Sequence, residues 1–200
     1  MSGLAIASLI QSGFDLHWVA EDQAAEVGLM LLAVPFVLQV FAAVLSYLAR
    51  DGASGAALGV LGTSWLAIGL VHVSSTPGHR SGALGLMLLA SAGMVALASL
   101  TVSTGKPLPG GIFMIEAARF AMAGTYELGA AGWWRDAAGI VGLAVVVAAA
   151  YCALAFELES QQRRPVIPTF RRGRARVAVM GGEEAAIDDV LHDPGVRQTT

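Results

Sequence analysis

Long runs without a single charge constrain this chain more than any other feature. Residues 27–49 carry no Asp, Glu, Lys or Arg, and neither do 55–73, 82–102 or 137–156. Each run ends at turn or charged residues: Arg50-Asp51-Gly52, Thr76-Pro77-Gly78-His79-Arg80, Gly105-Lys106-Pro107 and Glu157. A bilayer core of about 30 Å needs roughly 20 apolar residues in a helix, so each run is long enough to span. Composition agrees, because 14% charged residues fall well below the ~25% of a typical soluble domain. A soluble enzyme and a nucleic-acid module are both disfavoured on that ground.

Two further segments complete the expected architecture. Residues 110–128 are apolar but carry Glu116, Arg119 and Glu127. Residues 3–20 are apolar but short, interrupted by Gln11, Asp15 and His17. This segment reads as a partial span, with a surface-lying amphipathic helix as the alternative. The expectation is an all-α, polytopic integral membrane protein: a six-helix bundle with a short first helix and spans near 3–20, 27–49, 55–73, 82–102, 110–128 and 137–157. Residues 1–159 form the transmembrane domain, and 160–200 form a cytoplasmic, disordered tail.

Charge distribution sets the orientation. Six of the twelve Lys/Arg residues lie between Arg163 and Arg176, and basic segments stay in the cytoplasm. With six spans, both termini then lie inside a cell membrane, together with Arg50 and Lys106. Arg80 and Arg135 fall outside, against the rule. The basic stretch after the last span also suits anionic lipid headgroups. Phe170 alone interleaves its arginines with an aromatic ring, so nucleic-acid binding has no support.

Several residues are candidates for chemistry or packing. Glu116 and Arg119 are three apart, which puts them on one helix face, within reach of each other. Charges at membrane depth are costly and usually face a bundle interior or wet cavity. Two roles stay open for the pair: an anion site on Arg119, with Glu116 tuning it or relaying a proton, or a neutralised structural pair. Gln39 and Ser46 are isolated polar groups on the second span, and Pro35 should kink that span and free a backbone carbonyl. Gly55, Gly59 and Gly62 on one helix, and Gly139 and Gly142 on another, suit close helix packing. His17, His72, His79 and His192 lack metal-ligand spacing, the single Cys152 precludes a disulfide, and no nucleotide-binding or hydrolase motif occurs. No cofactor, metal or enzymatic activity is expected.

The residues from Gln39 through Arg50-Asp51-Gly52-Ala53-Ser54-Gly55-Ala56 to Gly62-Thr63-Ser64-Trp65-Leu66 resemble the acetate uptake transporter family, also called succinate–acetate permeases. That family shows a Gln, a short charged Gly-containing turn, a Gly-Ala pair, then Tyr-Gly-x-x-Trp-Leu. Ala138-Gly139-Ile140-Val141-Gly142, followed by Ala149 and Tyr151, is similar to its last helix. The resemblance covers roughly residues 1–160, with matching positions at Gln39, Gly55, Gly62, Trp65, Gly139, Gly142 and Tyr151. It implies six helices around a pore, a homo-oligomeric ring of six subunits, and uptake of acetate or another small carboxylate, either coupled to protons or channel-like. The chain departs from the family in four places. The family's Asn-Pro-Ala-Pro-Leu-Gly opening is missing, and Met1-Ser2-Gly3-Leu4 aligns partway along its first helix, as in a diverged member with a shortened start. Leu61 stands in place of a pore Tyr, Ser64 of a Phe, and Ser46 of a Glu.

The leading expectation is therefore a transporter or channel for a small monocarboxylate. Its path candidates are Gln39, Ser46, Leu61, Trp65, Glu116, Arg119 and Tyr151. A non-transporting membrane scaffold and a channel for a small neutral solute such as urea, ammonia or water are the alternatives.

Overall fold

The computed structural model describes residues 1–162, 166–173 and 175–176. Six helical segments follow one another: α1 (Ser2–Asp15), α2 (Glu21–Leu48), α3 (Gly52–Ser74), α4 (Gly82–Gly105), α5 (Pro107–Glu127) and α6 (Trp133–Gln162). α2, α3, α4 and α6 are long and apolar enough to cross a membrane. α5 carries the three charges noted above, and α1 has 14 residues, about 21 Å of helix at 1.5 Å per residue. Most of the expected disordered tail (163–165, 174 and 177–200) lies outside the described residues.

Local chemistry explains the helix ends. Asp51 caps α3 by accepting a hydrogen bond from the Ser54 amide at 3.3 Å, and Ser81 caps α4 by accepting one from the Leu84 amide at 3.2 Å. Pro107 opens α5 at the position where a missing N–H is harmless. α1 stops at Asp15, before the residue-20 end expected from hydropathy, and His17 then takes the left-handed conformation at φ 60°. α2 is continuous through Pro35, but the segment Leu32–Phe36 widens into a π-helical turn. A proline has no N–H to give and its ring crowds the carbonyl four residues back. The wider turn is the local form that the kink expected from sequence takes.

The helices close into a ring. α1 packs against α6, α6 against α5, α5 against α4, α4 against α3, α3 against α2, and α2 returns to α1. The closest crossings occur at glycines. A Cβ on Gly28 would lie 2.6 Å from the Gly69 carbonyl, and one on Gly85 would lie 2.9 Å from the Gly124 carbonyl. Without a hydrophobic driving force between helices in lipid, such close approach is what holds them together. Of the glycines expected to pack, Gly55, Gly62, Gly139 and Gly142 have neighbours within 3.2 Å of an added Cβ, whereas at Gly59 the nearest is Ala43 at 3.9 Å.

Polarity is arranged inside out. Phe41, Leu45, Leu86, Leu97, Ile140 and Val147 are exposed on the outer faces, while Ser8, Gln11, Ser12, Asp15, Gln39, Ser64, Glu116 and Arg119 are buried within the ring. Exposed apolar surface on this scale is stable in hydrocarbon and not in water. The molecule is a polytopic all-α membrane bundle.

A buried arginine at the floor of a vestibule

The three loops α1–α2, α3–α4 and α5–α6 gather at one end of the ring. From there a cavity of about 60 Å³ descends past Ser75, Thr76, Gly78 and His79 to Gln11, Asp15, His72, Arg119 and Phe120. Taking ~15 Å³ for each water-sized position, it has room for a small molecule, on the order of four waters.

Arg119 sits at the floor with 1% of its surface exposed. Its Nη1 donates to Glu116 Oε1 at 2.9 Å, from one turn back on α5. Its Nη2 reaches Asp15 Oδ2 on α1 at 3.4 Å. The Glu116 carboxylate also accepts from Ser8 Oγ at 3.4 Å. The guanidinium carbon lies 5.2 Å from the Trp65 ring centroid, and Trp65 meets Phe120 edge-on at 5.4 Å. Such cation–π contact steadies a desolvated guanidinium. Gly142 on α6 makes the room: a Cβ there would stand 2.1 Å from Ser12 Oγ and 2.6 Å from Arg119 Nε.

A second arginine lines the wall. Arg135, in the first turn of α6, donates from Nη2 to the Phe14 carbonyl at 2.8 Å and from Nη1 to Glu21. Its Nε stands 3.9 Å from Asp15 Oδ1. Gln11 joins both sides, donating from Nε2 to Asp15 Oδ1 at 2.9 Å while its Oε1 lies 3.2 Å from His72 Nε2. Charges thus alternate down the vestibule, from Glu21 through Arg135, Asp15 and Arg119 to Glu116.

Around Arg119, three buried polar atoms have no protein partner: its own Nε, Ser12 Oγ and Trp65 Nε1. Two of them are N–H donors. Unpaired donors at a guanidinium favour an anionic or carbonyl-bearing guest over a cation.

The path candidates from sequence divide between interior and periphery. Glu116, Arg119 and Trp65 come together at the vestibule floor, and Leu61 is fully buried one turn from Trp65. Gln39 is buried between Gly3 and Gly62. Ser46 is half-buried and bonds the Ala42 carbonyl of its own helix at 2.8 Å. Tyr151 is 38% exposed, with its hydroxyl donating to the Pro168 carbonyl at 3.1 Å. Asp15, Gln11, His72 and Arg135 belong to the site without having been singled out for it. Arg135 left one trace in the sequence: in the orientation expected from the charge distribution it falls on the side where the rule disfavours an arginine.

No family model and no curated relative matches this chain. Among solved structures, that of the bacterial acetate channel SatP matches with a TM-score of 0.72 at 20% sequence identity, over 84% of this chain and 93% of that one. At that identity the likeness is one of fold. This chain shares the fold of that structure.

Proposed function

We propose that this chain is a membrane conduit for a small monocarboxylate of about the size of acetate, which it carries together with a proton. The observation that carries the reading is Arg119, a buried guanidinium at the end of an open vestibule, with its Nε unpartnered. The likeness in fold to an acetate channel and the resemblance of the Gln39–Leu66 and Ala138–Tyr151 stretches support it independently.

Charge balance argues for the proton. Glu21, Asp15 and Glu116 face Arg135 and Arg119, so with all three carboxyls ionised this group already carries one net negative charge. An arriving carboxylate adds a second, and uncompensated charge at membrane depth is costly. A proton taken up with the anion, on the guest or on one of these carboxyls, returns the group to its starting charge. Beside Arg119 the edge-on Trp65–Phe120 pair presents apolar surface, which suits a guest whose charge has been neutralised. By the positive-inside reading, the vestibule faces the exterior of the cell, six passes leave both termini in the cytoplasm, and the exposed apolar faces meet lipid or further copies in a hexameric ring. A scaffold role and a neutral-solute channel offer no reason to bury Arg119 at the end of an open cavity.

The test is uptake of labelled acetate by purified protein in sealed vesicles under an inward proton gradient. The expectation is uptake above protein-free vesicles, abolished by Arg119→Ala and reduced by Gln39→Ala. No uptake of acetate, propionate or succinate above protein-free vesicles overturns it.

A further inference from the structure

We propose that the carboxyl group of Asp15 occupies the carboxylate-binding position of the vestibule and is a tethered competitor that the substrate must displace. The inference rests on the anion reading of Arg119 and adds to it an occupant for the site.

An aspartate side chain is chemically an acetate unit fixed at its methyl carbon to the backbone, so its surroundings show what this site accepts. Oδ1 receives the Gln11 amide at 2.9 Å and faces Arg135 Nε at 3.9 Å, and Oδ2 faces Arg119 Nη2 at 3.4 Å. One carboxylate is thus held between two arginines, on α5 and α6, and a side-chain amide. The side chain is only 8% exposed, yet Asp15, Gln11, Arg119 and Arg135 all line the open cavity.

The grip on Asp15 is loose where it matters. Charge-assisted N–H···O bonds settle near 2.7–2.9 Å. Arg119 meets that with Glu116 at 2.9 Å, and Arg135 is anchored by Glu21 and by the Phe14 carbonyl at 2.8 Å. Each arginine therefore keeps its place without Asp15, whose two guanidinium contacts are the long ones. Asp15 is also the last residue of α1, two residues before the left-handed turn at His17. Its carboxyl sits at a helix end, where a small backbone change would swing it aside without unfolding α1.

The consequence is a site whose affinity is set by an internal anion. With Asp15 in place the free carboxylate binds weakly, as rapid passage requires. Removing the Asp15 carboxyl leaves Arg119 with Glu116 and Arg135 with Glu21 and vacates the position between them, which a free acetate ion has the size and charge to take.

Asp15→Ala is therefore expected to be less stable than wild type in acetate-free buffer, measured by thermal unfolding of the purified protein. Sodium acetate should restore it saturably, with an apparent affinity at least about tenfold tighter than the wild-type response. Chloride at equal ionic strength should not restore it. Asp15→Asn, whose amide still fills the position, should be destabilised without being rescued. Three results would each overturn the proposal: acetate failing to restore Asp15→Ala, chloride restoring it as well as acetate does, or Asp15→Asn being rescued equally. The readout needs no transport. Intact rescue without wild-type uptake would remove the transport reading alone, and uptake without rescue would remove this one alone.

Discussion

Gly142→Ala adds one methyl group at a crowded point of the ring, and its effect follows from the surrounding distances. The new carbon would lie 2.1 Å from Ser12 Oγ, 2.6 Å from Arg119 Nε and 3.1 Å from Arg119 Cδ. Ser12 can rotate its hydroxyl away. Arg119 cannot yield as easily, because the clash falls mid-chain while its far end is tied to Glu116 at 2.9 Å and Asp15 at 3.4 Å. Overpacking a well-filled interior costs about 1–3 kcal/mol, and loosening a buried ion pair adds to that. A total of about 2–4 kcal/mol corresponds to a melting temperature lower by roughly 4–16 °C, at the ~2–4 °C per kcal/mol of a chain this size. The single Cys152, fully buried on α6, provides the assay: a thiol-reactive dye reports unfolding of the detergent-solubilised protein as the cysteine emerges. Gly93→Ala is the control, since an added Cβ there meets nothing within 4 Å and alanine is favoured over glycine in a helix by about 1 kcal/mol. Equal melting temperatures for the two variants would refute the picture of Arg119 wedged against Gly142.

Arg119→Ala leaves Asp15 and Glu116 buried without their shared cation and should cost about 3–5 kcal/mol. Adding Glu116→Gln to it should recover more than about 1 kcal/mol of that loss, and melting curves of the two single variants and the double variant check the non-additivity. At the opposite end of the ring, Lys106 donates to Asp51. Burial pushes the Asp51 carboxyl up, but hydrogen bonds from Lys106 and Ser54 outweigh it and hold the group below its ordinary 3.8. A depressed carboxyl contributes stability that is complete above that ordinary value and is lost as pH falls through the lower folded value. Asp51→Asn should therefore flatten the stability profile below about pH 4 and, with both side chains partly exposed, cost less than about 1 kcal/mol at neutral pH. Chemical denaturation between pH 3 and 7, to which the same ~1 kcal/mol ceiling applies, reads both effects.

The elements were legible in the sequence because burial in lipid imposes a simple code. Charge-free runs had to be helices, and α2, α3, α4 and α6 lie over those runs. The pairing of Glu116 with Arg119 was legible too, since residues three apart share a face of any helix. Asp15 and Arg135 were not, for a physical reason. Asp15 reaches Arg119 and Arg135 across 104 and 120 positions of chain, and only closure of the ring brings them together. Hydropathy overextended α1, because it cannot see that His17 adopts a positive φ and ends the helix. Pro35 announced a distortion, while its form, a π turn running from Leu32 to Phe36, depended on the packing of α2 against α3. The glycine spacing on α3 pointed to close contact, and glycine meets glycine at Gly28–Gly69 and Gly85–Gly124. Which helix each of these glycines would meet is decided only in the ring.

The central claim is that a small carboxylate reaches Arg119 through the vestibule. The most direct measurement is a pair of crystal structures, grown with and without acetate, compared by difference density. A carboxylate should appear in the cavity beside His72 and Phe120, within about 3 Å of the Arg119 guanidinium, and no such density should appear in Arg119→Ala. Acetate bound elsewhere with this cavity empty, or bound here equally well without Arg119, would contradict it.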